Sequence, residues 1–320
     1  MIARLKNYAR HLRRTRFIDP GDYRKSVLLA GSPRSGTTWI QELLNYRNEY
    51  RMMFEPFHAR YVELVKDWNY RQYLREDETD EKYLIPARRI LSGQIKHPWI
   101  DKMNRRLLVR RRLIKDVRAN LFLKWIQSRF PEVPIILLLR HPCAVTSSRI
   151  SLNFETHLDS FLEQPLLMQN RLGPFREQIE AVDNEFDAHL FMWCVENYVP
   201  LNQFAPSQVH LCFYEQLCTD PDHEAHRLLS YLGETPDRLT AQAIDKPSRM
   251  SRQDSAVVSG DNRISAWRKR VSPAQLGRAV EVLHLFGLDQ VYADQDMPLL
   301  EPDEALARFT RRPARDGGRP

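Results

Sequence analysis

Short, uninterrupted apolar runs alternate along this chain with longer stretches in which apolar residues recur every third or fourth position. Residues 27–30 (Val-Leu-Leu-Ala) and 135–139 (Ile-Ile-Leu-Leu-Leu) are runs of the first kind, which predicts strands buried on both faces. Residues 107–114, 209–214 and the short 52–54 read as three more strands. Helical periods follow at 38–45, at about 120–129, from Ala144 onward, at 186–204, at 224–232 before Gly233, and at 273–286. Strands alternating with helices predict an α/β fold, a P-loop-type parallel sheet flanked by helices in a single domain.

Between these elements the pattern breaks down twice. Residues 60–105 are polar, aromatic and irregular, as expected of a segment that caps a sheet or lines a substrate cleft. Residues 246–263 are rich in Ser, Arg and Asp and read as a long loop, after which Trp267 leads into the last helix. The ends divide the chain into a basic N-terminal helical segment (1–25), a body (26–292) and a tail rich in Arg, Pro and Gly (293–320) expected to be flexible. The first segment sets Arg4, Lys6, Arg10, Arg13, Arg14, Arg16, Arg24 and Lys25 against Asp19 and Asp22, with Ile2, Leu5, Tyr8 and Leu12 near helical spacing. It is either a solvated helix packed on the domain or a helix in peripheral contact with an anionic membrane surface.

Composition narrows the picture only a little. At 320 residues and 42% hydrophobic the chain can bury a large core, and its net charge of +7 favours anionic ligands without naming one. Four cysteines with no Cys-x-x-Cys pair argue against a zinc site or a disulfide framework and for a reducing compartment. The longest apolar run is about a third of the ~20 residues a membrane span needs, and residues 1–5 lack a signal-peptide core, so a cytoplasmic location is expected. The cluster Arg105, Arg106, Arg110, Arg111 and Arg112 has no base-stacking motif beside it, and a nucleic-acid partner is not expected. No oligomeric state is legible.

The chemistry is concentrated after the first strand. Gly31-Ser32-Pro33-Arg34-Ser35-Gly36-Thr37-Thr38-Trp39 has the strand, glycine spacing and paired hydroxyls of a phosphate-binding loop that opens a helix. Thr37 stands where a nucleoside-triphosphate loop has its lysine, and the cation has moved to Arg34 inside the loop. The strand at 135–139 ends in Arg140-His141-Pro142, where many P-loop enzymes carry a magnesium-holding Asp. Arg140, with Ser147, Ser148 and Arg149 one helical entry later, reads as a second anion site.

These motifs together resemble those of the sulfotransferase family, which uses 3′-phosphoadenosine-5′-phosphosulfate (PAPS). The resemblance is closest in style to carbohydrate-type and bacterial members, and it runs from about Ser26 to Tyr292. It implies that residues 33–39 (Pro33, Arg34, Ser35, Gly36, Thr37, Thr38, Trp39) form the 5′-phosphosulfate loop and that Arg140 and Ser148 form the 3′-phosphate site. Weaker matches at Lys115-Asp116-Val117-Arg118, Tyr214-Glu215-Gln216-Leu217 and Trp267-Arg268-Lys269 imply that Tyr214 lies near the adenine and that Arg263 or Arg268 reaches the 3′-phosphate. Phe54-Glu55-Pro56-Phe57-His58 resembles the family's Glu-Pro element, which makes Glu55 the implied base; Glu55 as the structural partner of an arginine, and His58 as the base, are the alternatives.

The expected activity is metal-independent, in-line O-sulfation of a hydroxyl on a sugar, glycoside, glycan or other small metabolite, with Arg34 and Lys115 on the leaving oxygen. Lys115 is equally readable as a structural partner of Asp116. A carboxylate at its ordinary pKa is a weak base for an alcohol, so burial or a neighbouring acceptor is expected to raise Glu55, and its proton to move late. Trp68, Tyr70, Tyr73 and Trp99 are candidates for stacking on the acceptor. The competing readings are a P-loop kinase or NTPase without the usual lysine, and a non-catalytic nucleotide-binding protein.

Overall fold

Five strands, β1 (Ser26–Gly31), β2 (Tyr50–Phe54), β3 (Arg111–Asp116), β4 (Ile135–Leu139) and β5 (His210–Phe213), run parallel in one sheet in the order β2-β3-β1-β4-β5. This computed structural model describes residues 17–235 and 262–310. The strands are buried on both faces because helices cover both. Leu28 and Ala30 of β1 join one core cluster, while Val27 and Leu29 join the other. One layer holds α1 (Thr37–Leu44) and α6 (Pro221–Tyr231), whose Trp39, Ile40 and Leu228 pack on Val27 and Leu29. The opposite layer holds α3 (Leu123–Arg129) and α5 (Glu185–Leu201), with α4 (Pro142–Ile150) and α7 (Pro273–Phe286) packed on α5. Helix α5 is buried nearly all round and carries Glu196 and Asn197 into the interior.

Register sets the site. Phe54 lies opposite Lys115, Ala30 opposite Asp116, Gly31 opposite Leu138 and Leu139 opposite Phe213, so all five strands end along one edge. The chain leaves β1 for β2 and β3 on one side and for β4 and β5 on the other. The crevice above β1 is therefore the topological switch point at which open α/β sheets bind ligands.

Four expectations need correction. Strand β3 begins at Arg111 rather than 107; Leu108 forms only an isolated bridge with Ile18. Residues 60–105 contain α2 (Glu81–Leu91), a helix the pattern hides because Pro86 sits inside it. The domain starts no later than Phe17, which is 1% exposed, and Asp19 anchors the buried Arg51 and Arg112 as an ion-paired group beneath the sheet. Arg112 is thus an interior residue. Within the tail, Pro302–Thr310 forms α8, whose Ala305, Leu306 and Phe309 are buried in the main core. Residues 1–16, most of the expected membrane-contacting segment at 1–25, residues 311–320 at the end of the tail, and most of the loop at 246–263 lie outside the described residues. Among the described residues, no helix is long and apolar enough to cross a membrane.

Candidate active site

The carboxyl ends of the strands open into a cleft of about 630 Å³. One end is built by the turn after β1. Arg34 (φ +77°) and Gly36 (φ +102°) take left-handed conformations, which turn the chain into α1 and bring Gly36, Thr37 and Thr38 onto the cleft wall. Only glycine fits at 36, since a Cβ there would lie 2.6 Å from a ring carbon of Tyr214. The first N–H groups of α1 have no partner within their own helix and make an anion-binding end.

Neutral oxygens aim the cations of this end. Arg34 Nε donates to Ser148 Oγ at 3.1 Å, and Arg140 donates to the carbonyls of Arg34 (3.2 Å) and Arg263 (3.4 Å). The Arg140 guanidinium also lies 4.1 Å from the ring centroid of Tyr214, which meets Trp39 edge-on at 5.6 Å. Beneath the turn, Arg149 donates to the Pro33 carbonyl at 3.3 Å and to Glu196 at 2.6 Å, while Asn197 donates to Ser32 Oγ at 3.1 Å. Helix α5 thereby fixes the turn from below.

Of the residues singled out from sequence, Arg34, Gly36, Thr37, Thr38, Trp39, Arg140, Ser148, Tyr214 and Arg263 all line this end. Ser35 does not; its side chain is fully buried under the turn. Arg268 is also off the wall, held by Asp296 at 2.7 Å and by the Asp294 carbonyl. Between the two candidate arginines, Arg263 is the one that faces the cleft. Trp39 Nε1 and Arg140 Nε are buried without a hydrogen-bond partner among the described residues. Buried donors of this kind beside an anion-binding turn fit a polyanionic nucleotide.

At the other end stands Glu55, on a turn just past β2 with φ +45°, its N–H donating to the Lys115 carbonyl at 2.7 Å. Its carboxylate is held on both sides, by Lys115 Nζ at 2.6 Å and by an Arg118 nitrogen at 2.7 Å. Burial would raise its pKa, but the two cations and their hydrogen bonds outweigh burial and hold it at about 2. The expectation of a basicity-raised glutamate is therefore overturned, because Arg118 joins Lys115 around one carboxylate. Lys115 pairs with Glu55, not with Asp116. Asp116 instead accepts from the N–H groups of Phe57 and Arg118 at 2.8 Å each, tying the two turns together, and burial with the nearby Glu55 charge pushes it up to about 6.

Aromatic rings enclose this end. Trp99 stacks on Tyr61 (4.3 Å between centroids) and its Nε1 donates to the Glu55 carbonyl, while Tyr70 receives a hydrogen bond from Arg118. Trp68 and Tyr73, grouped with these by sequence, are core residues. His58 lies on the wall with its Nδ1 unpartnered among the described residues, and burial with Arg118 nearby lowers its pKa to about 4. Sequence reasoning assigned no role to Arg118, Tyr61, Lys102, Lys269 or Arg270, all on the cleft wall. The signal for Arg118 was its position three residues beyond Lys115, at a strand end.

The profile of the sulfotransferase family matches residues 26–237, about two thirds of the chain. The chain belongs to the sulfotransferase family. It is accordingly a sulfotransferase, a transferase of sulfuryl groups. No curated protein matches it in sequence. Among solved structures it is similar to the sulfotransferase domain of the Synechococcus PCC 7002 olefin synthase, at 16% identity and a TM-score of 0.46, over 82% of this chain and 94% of that one. It is also similar to the sulfotransferase STF9 of Mycobacterium avium (13% identity, TM-score 0.45, 90% of this chain and 80% of that one). A third is mouse sulfotransferase SULT7A1 complexed with PAP (12% identity, TM-score 0.41, 86% and 87%).

Proposed function

We propose that this sulfotransferase moves the sulfuryl group of PAPS to a hydroxyl of a small acceptor such as a sugar or glycoside. The observation that supports it most is that one cleft joins a cationic phosphate-type turn to the Glu55–Lys115–Arg118 group. PAPS supplies the activated sulfuryl group. Arg34 and the first N–H groups of α1 would hold its phosphosulfate, Arg140, Ser148 and Arg263 its 3′-phosphate, and Tyr214 with Trp39 its base.

Glu55 orients the acceptor hydroxyl by accepting its hydrogen bond. As the acceptor oxygen bonds to sulfur and the bond from sulfur to the phosphate oxygen breaks, the hydroxyl proton passes to Glu55 and the electron pair leaves with the nucleotide. A carboxylate held near pKa 2 takes that proton only from an oxygen already committed to sulfur, which makes the transfer late. Lys115 and Arg34 bear on the oxygen that leaves, where preorganised cations stabilise developing charge.

A second reading makes His58 the base. It is favoured by the unpartnered Nδ1 and by a pKa of about 4, above that of Glu55. Transfer of labelled sulfate from PAPS into a metabolite extract tests both. A labelled product that disappears with Glu55→Gln supports the first reading, and one that survives Glu55→Gln but not His58→Gln moves the base to His58. Failure of 3′-phosphoadenosine 5′-phosphate to bind at micromolar concentration would remove PAPS as the donor.

A further inference from the structure

At the amino ends of the strands, opposite the cleft, two segments meet at the surface. Leu108 lies three residues before β3 and bridges in parallel to Ile18, with the Ile18 N–H donating to the Leu107 carbonyl at 2.8 Å and the Val109 N–H to the Ile18 carbonyl at 2.9 Å. Side chains alternate across such a pair. Phe17 and Val109 point inward and are each 1% exposed, whereas Ile18 and Leu108 stand side by side on the outer face, 70% and 52% exposed, with the adjoining Leu107 at 53%. Single exposed aliphatic residues are ordinary, but three together at one edge mark a contact surface.

The surround is basic. Arg105 and Arg110 are exposed, Arg106 donates to the Leu108 carbonyl at 3.4 Å, and Lys96 donates to the Phe17 carbonyl at 2.7 Å. None of residues 94–98 or 105–111 is acidic, and Asp19 and Asp101 are turned inward, both onto the buried Arg51 and Asp19 onto Arg112 as well. The sequence that leads into Phe17 has the same composition, with Arg10, Arg13, Arg14 and Arg16 around Leu12. A partner for this edge has to meet aliphatic and cationic groups at once. A second copy in a two-fold pair would set the basic edge against itself, and a nucleic acid would leave the aliphatic side chains in water. A bilayer with anionic headgroups meets both, its phosphates taking the cations and its acyl boundary taking the aliphatic groups.

We propose that the edge formed by Ile18, Leu107 and Leu108, with Arg105, Arg106 and Arg110 around it, docks the protein on an anionic lipid surface. The contact is peripheral, since among the described residues no helix is long and apolar enough to cross a membrane. A protein docked in this way keeps its cleft, on the far side of the sheet, open to water, so the ligands of the cleft enter from the aqueous phase.

The test is co-flotation of the full chain with vesicles of phosphatidylcholine alone and of phosphatidylcholine with about 30% phosphatidylserine, at low salt and at about 0.5 M NaCl. The protein is expected to float with the anionic vesicles only, and to lose most of that binding at the higher salt. Replacing the aliphatic side chains together (Ile18→Ser, Leu107→Ser, Leu108→Ser) should lower the lipid partition coefficient about tenfold, with little change in the urea midpoint because all three are exposed. Arg105→Gln combined with Arg110→Gln should lower it about 30-fold at low salt, and this variant carries the test should the serine variant fail to fold. Binding to neither vesicle, equal binding to both, or partition that survives either set of changes would overturn the proposal. So would sedimentation that shows a dimer for wild type and a monomer for the serine variant, which would make the edge an interface between copies.

Discussion

At the nucleotide end of the cleft, Arg34 and Arg140 are aimed by a hydroxyl and by backbone carbonyls; at the acceptor end, Lys115 and Arg118 close on the carboxylate of Glu55. The first arrangement fixes geometry through neutral oxygens. The second fixes geometry by neutralising charge, and the carboxylate loses basicity as a result. One cavity thus uses two kinds of anchoring, as the proposed transfer from a polyanion to a hydroxyl would require. The ends are nevertheless mechanically joined, because Glu196 on α5 holds Arg149 under the phosphate-type turn and Arg71 under the acceptor wall.

The largest effect that separates the ends is expected from Glu55→Gln. It should lower kcat by about 10³-fold, in the range of a lost general base, with nucleotide affinity equal to or tighter than wild type because Lys115 is released. Removing one partner of a buried ion pair also costs about 3 kcal/mol of stability, visible as a lower urea midpoint. Equal losses in kcat and in nucleotide affinity would break the comparison.

Arg140→Ala is the converse. Loss of charge-assisted hydrogen bonds worth about 2 kcal/mol should weaken binding of 3′-phosphoadenosine 5′-phosphate about 30-fold by calorimetry. A smaller contrast tests the choice between two arginines, Arg263→Ala being expected to weaken nucleotide binding about fivefold, near 1 kcal/mol, and Arg268→Ala less than twofold. An Arg268→Ala effect as large as that of Arg263→Ala would return Arg268 to the site.

The smallest distinction is in pH dependence, to which both ends contribute. Burial lowers the pKa of His58 and His189 to about 4 and of His141 and His210 to about 3. Their unfolded forms take up protons below about pH 6.5 while the folded forms do not, so stability is full above that pH and falls as the pH drops. Each histidine should cost about 1 kcal/mol between pH 7 and 5.5, measured by urea unfolding. Asp116, raised to about 6, binds its proton in the folded state and opposes the trend. Glu55 adds a further loss only below about pH 4.5. Stability that rises on acidification from 6.5 to 5.5 would contradict these burial assignments.

How much of this was legible follows from the same division. The turn at 31–39 is one contiguous stretch, and Arg140 and Ser148 belong to the next strand-to-helix junction, so strand, turn and helix periodicity are enough to place these residues at the strand ends. The parallel sheet was legible for the same reason, since runs such as 135–139 have no other use. The acceptor end joins residues 54–58, 70–71, 99–102 and 115–118, and the contacts among them depend on the pairing of Phe54 with Lys115, which no local pattern encodes. Tyr70 and Trp99 face the cleft while Trp68 and Tyr73 fill the core, although all four look alike in sequence. Pro86 concealed α2, and the polar composition of 302–310 concealed a helix whose apolar face is buried.

Whether the cleft is split into a nucleotide end and an acceptor end is decided by calorimetric titration of 3′-phosphoadenosine 5′-phosphate into wild type, Arg140→Ala and Glu55→Gln. Wild type should bind in the micromolar range or tighter without added magnesium, Arg140→Ala about 30-fold more weakly, and Glu55→Gln at least as tightly as wild type. Tighter binding of Mg²⁺-ATP than of this nucleotide, or equal losses in the two variants, would contradict that division.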